Sequence, residues 1–206
     1  IPEDVKIEIT HHLGKFYKQA LNNEEKAIAC FHEALKNPKT EFAAQLQLSR
    51  LIRKTDIEES KRYLKNIFDA YKIDKDLISP TTVLGAFEDL QVREYEDLTV
   101  QYLYETSLLE DALFSNYHES YDQPFRVLAS LSRHLTYEYP ERVKAIIQQM
   151  PIPSEESINP KWAFVAGELY KEFGKSFIWD GSGNISKTIS ACNQASVYYS
   201  KVTRRV

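Results

Sequence analysis

LGKFYKQALNNEEKAIACFHEALKNP, residues 13–38, decides how the rest of the chain is read. Val5, Ile9, Leu13, Phe16/Tyr17 and Ala20 recur at helical spacing from about Glu3 to Leu21, and Gly14 stands three residues before Tyr17. Asn22–Asn23 interrupts the pattern with small polar side chains of the kind that cap a helix. Glu24 and Glu25 then face the positive end of the next helix dipole. Ala27, Phe31, Ala34 and Leu35 form a single apolar stripe, and Pro38 ends it. The stretch predicts an amphipathic helix, a tight turn and a second amphipathic helix. One such hairpin cannot bury its own apolar face, so neighbours of the same kind are expected.

Copies recur at a near-constant distance. Leu48 and Leu51 repeat the places of Gly14 and Tyr17. Ser60, Leu64 and Ile67 repeat those of Ala27, Phe31 and Ala34 at an interval shorter by a single position. Asp56 and Glu59 have the form of a capping box that opens the second helix of this pair. Ser79–Pro80 is a cap followed by a first-turn proline, with Leu84–Gly85 next. Glu94 to about Tyr117 predicts a long helix with Leu98, Tyr102, Leu109, Ala112 and Leu113 on its apolar face. Pro124 opens a fourth pair, lined by Val127, Leu128, Leu131 and Leu135 and then by Val143, Ile147 and Met150. Asn159–Pro160 opens a fifth, where Gly167 precedes Tyr170 as Gly14 precedes Tyr17. Ile185, Ile189, Cys192, Tyr199 and Val202 line a last helix, and no segment alternates as a strand would.

Gly14 with Tyr17, then Ala27, Phe31 and Ala34, with the later copies, resembles the tetratricopeptide repeat family, a helix–turn–helix of about 34 residues. The resemblance implies an all-α fold: a right-handed superhelix of about five antiparallel hairpins, an α-solenoid with an irregular third pair. It implies one domain over residues 1–206, with Gly14, Ala27 and Ala34 where helices cross closely. It also implies that the first helix of each hairpin lines a concave groove for an extended peptide or a partner helix. In that register His11, Lys15, Lys18, Gln45, Ser49 and Arg53 lie off the core stripe and form the candidate partner-binding surface. Basic and donor groups prevail among them, which favours an acidic segment. The chain departs from the carboxylate-clamp subfamily, offering His11 and Lys15 for its Lys and Asn, and Leu46 where the next pair should offer Asn.

The composition sets outer bounds. Of 206 residues, 43% are hydrophobic and 27% charged, as in a folded globular protein. Six glycines and eight prolines leave little room for the turns of an all-β fold. A net charge of −4 lacks the basic excess that tracks phosphates, so nucleic acid is not an expected partner. Lys201, Arg204 and Arg205 read as favourable charge at a helix C-terminus. No apolar run nears the roughly 20 residues that span a bilayer, so no membrane is expected. Cys30 and Cys192 sit far apart in apolar helical patterns and read as buried, reduced thiols, which predicts a cytoplasmic protein. Ile1 in place of Met suggests a piece of a longer chain.

Chemistry-bearing patterns are sparse. Glu8, His11 and His12 occupy adjoining helical positions, but neighbouring histidines point about 100° apart, so a polar face is expected there rather than a metal. Asp180, Ser182 and Asn184 alternate like the start of a calcium loop, yet Ile185 replaces its glycine and Ala191 its closing glutamate. Residues 178–184 therefore predict a mobile loop, and Asp74 with Asp76 a solvated turn. His118, Glu119 and Tyr121 are neighbours without a distinguishing pattern. No glycine-rich phosphate loop, Gly-x-Ser-x-Gly elbow or Cys–His pairing occurs. The expectation is a protein-interaction module without a cofactor or chemistry of its own. Two alternatives stand beside it: a ligand sensor that controls an attached effector or NTPase domain, and an enzyme sited near the irregular third pair.

Overall fold

The computed structural model describes residues 2–115, 127, 167, 170, 171, 174, 175 and 185–203. The described residues are helical with no strand, so the all-α expectation holds for them. The chain divides into two compact units, Ile1–Leu109 and Glu110–Val206.

The first hairpin of the N-terminal unit pairs α1 (Glu3–Gln19) with α2 (Glu24–Ala34). Asn22 takes a positive φ of 48°, a conformation that asparagine tolerates, and so turns the chain. Asn23 then caps α2 by accepting the Lys26 amide at 3.0 Å. Ala27, Phe31 and Ala34 are fully buried. Gly14 faces them so closely that a Cβ there would lie 2.9 Å from Cε1 of Phe31, which makes it the close crossing the repeat pattern requires.

Thr40 joins this hairpin to the next. Its hydroxyl donates to the Ala34 carbonyl at 2.7 Å and so satisfies one of the carbonyls left open at the end of α2. The second hairpin pairs α3 (Glu41–Ile52) with α4 (Ile57–Ile73), and Asp56 caps α4 by accepting the Glu59 amide at 3.0 Å. Glu59 does not complete the capping box: its carboxylate binds Arg62. Leu48, Ser60, Leu64 and Ile67 are fully buried, as are Phe31, Ala27 and Ala34 in the first hairpin. Phe31, Ala44, Leu48 and Tyr63 belong to one apolar cluster that runs through both hairpins.

Ser79 caps α5 (Pro80–Asp89), accepting the Thr82 amide at 3.4 Å, with Pro80 in the first turn. This helix packs against both α3 and α4. Gly85 makes the approach to α3 possible, because a Cβ there would meet Leu46 Cδ2 at 2.9 Å.

The long helix expected from Glu94 onward is broken. A 3₁₀ turn (Arg93–Tyr95) leads into the single α-turn α6 (Glu96–Leu98) and then into π-helix over Thr99–Tyr104. The packing supplies the reason. Leu98, Thr99, Tyr102 and Leu103 are all buried, and the wider π turn keeps Leu98 and Leu103, five apart, on one face. Tyr102 stacks on Phe68 at 4.7 Å and donates to the Asp69 carboxylate at 2.6 Å. The Thr106 hydroxyl donates to the Tyr102 carbonyl at 2.6 Å, closing the segment before α7 (Leu108–Ser115).

In the C-terminal unit, α8 spans Ile185–Thr203. Among its described side chains Ala191 and Ala195 are buried, whereas Ile189 and Cys192, expected on the apolar face, are exposed. Gly167 and Gly174 are helical and buried. The rest of the fourth and fifth pairs, the 178–184 loop and His118, Glu119 and Tyr121 lie outside the described residues.

Candidate functional site

The six residues expected on the groove divide into two sets of three. His11, Gln45 and Ser49 are buried; Lys15, Lys18 and Arg53 are half-buried and reach solvent. The buried set corrects the expectation that all six stand off the core. For Gln45 and Ser49 that expectation weighed α3 against its own partner only, whereas α3 also packs against α2 and α5; His11 instead turns onto Phe31 of its own partner helix, α2. A face that is free in an isolated hairpin is covered in a stack.

Ser49 donates to the Leu46 carbonyl at 2.9 Å, and its own carbonyl accepts the Ser60 hydroxyl at 2.7 Å. The Ser60 and Tyr95 hydroxyls are 2.6 Å apart, so with Ser60 donating to Ser49, Tyr95 donates to Ser60. Burial pushes the Tyr95 phenol up, opposed by Ser60 and Arg53. Gln45 donates to Glu41 at 3.2 Å, leaving its buried Oε1 without a partner.

His11 is 5% exposed and packs edge-on to Phe31, ring centroids 5.7 Å apart. Its Nε2 also lacks a hydrogen-bond partner. Burial, then the charges of Lys15 and His12, lowers its pKa to about 4. The imidazole is therefore neutral at physiological pH. His11 and Gln45 occupy the same place in successive repeats, so the unpaired atoms fall at equivalent points of the two hairpins.

The polar contacts that link the first helices bring in, beside Lys18, residues the sequence did not single out: Gln47, Arg50 and Asp89. Lys18 on α1 donates to Gln47 on α3 at 3.0 Å. Arg50 on α3 donates through Nε to Asp89 of α5 at 2.6 Å and through Nη2 to the Gly85 carbonyl at 3.0 Å. Lys18 has its pKa lowered by burial first and by Arg50 second, with Asp89 and Glu24 acting in the opposite sense. Burial pushes the Asp89 carboxyl up against the hydrogen bond and charge of Arg50, and Arg53 also acts on it. Lys18, Arg50 and Arg53 thus form a positive cluster in which Asp89 is deeply held. Its ligands would be carboxylates or other anions. No local signal could have revealed Arg50–Asp89, whose partners lie 39 residues apart and off the repeat period.

Glu8 pairs with Lys39 at 3.4 Å, His12 is exposed and His11 points inward, so these three do not assemble into a ligand set. Among the described residues no three His, Cys, Asp or Glu side chains converge as a metal site requires. Asp74 accepts the Asp76 amide at 2.9 Å in an exposed turn, as expected. Cys30 is half-buried, with its thiol pushed up by burial, and Cys192 is exposed rather than packed. No described helix is long and apolar enough to cross a membrane. Comparison with family models, curated proteins and solved structures gives no match.

Proposed function

We propose that the chain is a tetratricopeptide-like α-solenoid, a right-handed superhelix of hairpins, that serves as a protein-interaction module. A partner protein or peptide would lie along the surface formed by α1, α3 and α5, with no reaction carried out on it. One observation carries this proposal: the two hairpins bury equivalent positions one repeat apart, and α5 continues the stack onto α3 through Gly85. Lys15, Lys18, Arg50 and Arg53 on these helices favour an acidic partner segment, and neither nucleic acid nor a membrane is invoked. The free thiols of Cys30 and Cys192 suit the reducing cytoplasm.

The test is reconstitution. A protein recovered on the immobilised chain is purified and titrated against wild type and against the Lys15→Glu/Arg53→Glu double variant. Binding that weakens with salt and is lost in the variant supports the module, because exposed charges act over a Debye length that falls from about 10 Å at 0.1 M to about 3 Å at 1 M. Equal affinity in both proteins removes the basic surface as the site.

A sensor is the second reading, favoured by the polar contacts between first helices. An anion competing for Lys18 or Arg50 would loosen Lys18–Gln47 and Arg50–Asp89 and shift one helix against the next. Curvature would then report ligand to an attached effector or NTPase domain.

A further inference from the structure

Arg50 spends one edge of its guanidinium on α5. Nε donates to Asp89 Oδ2 at 2.6 Å and Nη2 donates to the Gly85 carbonyl at 3.0 Å. Those N–H groups lie side by side on a planar group, so the two contacts fix its plane as well as its position. Gly85 and Asp89 stand four apart on one face of α5, which matches that edge. The other edge, made by Nη1 and the second N–H of Nη2, has no hydrogen-bond partner among the described residues. The Arg50 side chain keeps 30% of its surface in solvent, while that of Asp89 keeps 16%.

Lys18 approaches the same place from α1. Its ammonium donates to Gln47 at 3.0 Å, and Gln47 stands one turn before Arg50 on α3. Gln47 is uncharged, so among the described residues the ammonium has no carboxylate in hydrogen-bond reach. Arg50 is near enough to lower the Lys18 pKa, second only to burial. Arg53 brings a third positive charge to bear on Asp89. Besides Asp89, the acids that act here are Glu24, on Lys18, and Glu88, on Asp89.

We propose that Arg50 and Lys18 form a seat for one carboxylate of a partner, and that Asp89 is a positioning residue that aims Arg50 into it. The seat rests on the reading of the basic surface as the partner-binding face, and names the groups that grip there. A carboxylate sets its two oxygens against the outer edge of the guanidinium as a fork, and the Lys18 ammonium reaches the oxygen nearer α1. A lysine in place of Arg50 keeps the charge and loses the fork. The effect of Asp89 runs against its charge. As an anion it repels an incoming carboxylate, yet without it the guanidinium is free to turn, and its ordering then weighs against binding.

Fluorescence anisotropy of the whole chain with two dye-labelled probes tests the seat at about 0.01 M salt, where the Debye length is about 30 Å. Hexaglutamate with a C-terminal amide offers side-chain carboxylates, and hexaglycine with a free C-terminus offers a chain-end carboxylate. Wild type should bind at least one of them, and the tighter names the source. Arg50→Lys should weaken that binding about tenfold, the worth of one charge-assisted hydrogen bond. Asp89→Ala should also weaken it, whereas Asp89→Asn, which keeps an oxygen for Nε, should bind at least as tightly as wild type. Tighter binding by both Asp89 variants would make Asp89 a repelling charge only and overturn its positioning role. Arg50→Lys equal to wild type, with circular dichroism unchanged, would overturn the seat, and decides the matter even where Asp89→Ala fails to fold. Salt-sensitive binding that persists in Arg50→Lys would leave the basic surface standing, whereas no binding of either probe would remove both.

Discussion

The first and second hairpins share a spacing but not a solution to it. In the first, Gly14 clears the space that the Phe31 ring fills; in the second, Leu48 fills that space and Leu64 replaces the ring. The second crossing carries the larger total side-chain volume and divides it evenly, whereas the first places all of it on α2. The pair Ala27 and Ser60 differ as well. Ala27 needs nothing from its surroundings, whereas Ser60 must place a hydroxyl, and does so between Ser49 and Tyr95. A repeat position thus specifies burial and satisfied polar groups, and not a residue type or a size. The two hairpins also differ in cover, since α3 has neighbours on both sides and α1 has an exposed stripe on one.

The strongest way to break this comparison is to make the first crossing like the second on one side only. Gly14→Leu should cost about 3 kcal/mol, the upper end for overpacking, since a Cβ there already meets Phe31 at 2.9 Å and Cys30 Cβ at 3.1 Å. Gly14→Leu/Phe31→Leu, which copies the pair Leu48 and Leu64, should recover part of that loss by removing the clash with the ring, while the contact with Cys30 remains. Denaturant melts of the three proteins decide the matter. A double variant no better than the single would show that the crossings are not equivalent.

Acid should separate the hairpins next, because their equivalent buried positions carry His11 and Gln45. His11 has a folded pKa of about 4 against an ordinary 6.5. As pH falls below 6.5 the unfolded chain takes a proton that the native chain refuses, so stability declines towards pH 4 and is unaffected by this group above 7. The loss should be about 2 kcal/mol between pH 7 and pH 5. His11→Gln, which installs the residue of the second hairpin, should flatten that limb. Parallel slopes for the two proteins would mean that His11 gains a proton in the native state.

Ser60→Ala should be milder, about 1–2 kcal/mol, because it strands the buried Tyr95 hydroxyl. Adding Tyr95→Phe should return much of the loss, since removing both partners leaves nothing unpaired. Equal melts for the single and double variants would show that Tyr95 finds another acceptor.

What the sequence showed depended on how local the cause was. Caps at Asn23, Asp56 and Ser79 were legible because a side chain meets an amide three residues on. The stripes Ala27–Phe31–Ala34 and Ser60–Leu64–Ile67 were legible because each faces its own hairpin partner. Gln45 and Ser49 were misplaced because α3 has neighbours beyond its own hairpin partner, and His11 because it turns onto Phe31 rather than away from it. The apolar face of α1 was misjudged, Val5, Ile9, Leu13 and Phe16 being exposed, because spacing reports a stripe and not whether a neighbour covers it. The π segment over Thr99–Tyr104 was invisible, since its cause is Tyr102 reaching Phe68 and Asp69. Register named Lys15, Lys18 and Arg53, which are half-buried in the structure, whereas Arg50–Asp89 went unseen because nothing local pairs them.

The smallest expected effect on stability is also the most specific to one hairpin. Lys15 on α1 and Arg53 at the end of α3 are half-buried bases, and each reaches buried ionisable groups by its charge alone. Lys15 lowers the pKa of His11, while Arg53 acts on Asp89 and Tyr95. At pH 7 His11 is neutral, so Lys15→Glu should move stability by no more than about 0.5 kcal/mol, as for other partly solvated charges. Below pH 6.5 the same change should matter more, because a carboxylate beside His11 favours the imidazolium and lifts its pKa back towards the ordinary value. The acid limb should then be shallower than in wild type. It should remain steeper than in His11→Gln, since burial, the larger cause, is untouched. Arg53→Glu should leave that limb unchanged. Chemical shifts of the His11 ring protons followed through the titration would read the change without unfolding the protein. A His11 titration identical in wild type and Lys15→Glu would show that the two side chains are too well screened to interact, and the pH response would then belong to burial alone.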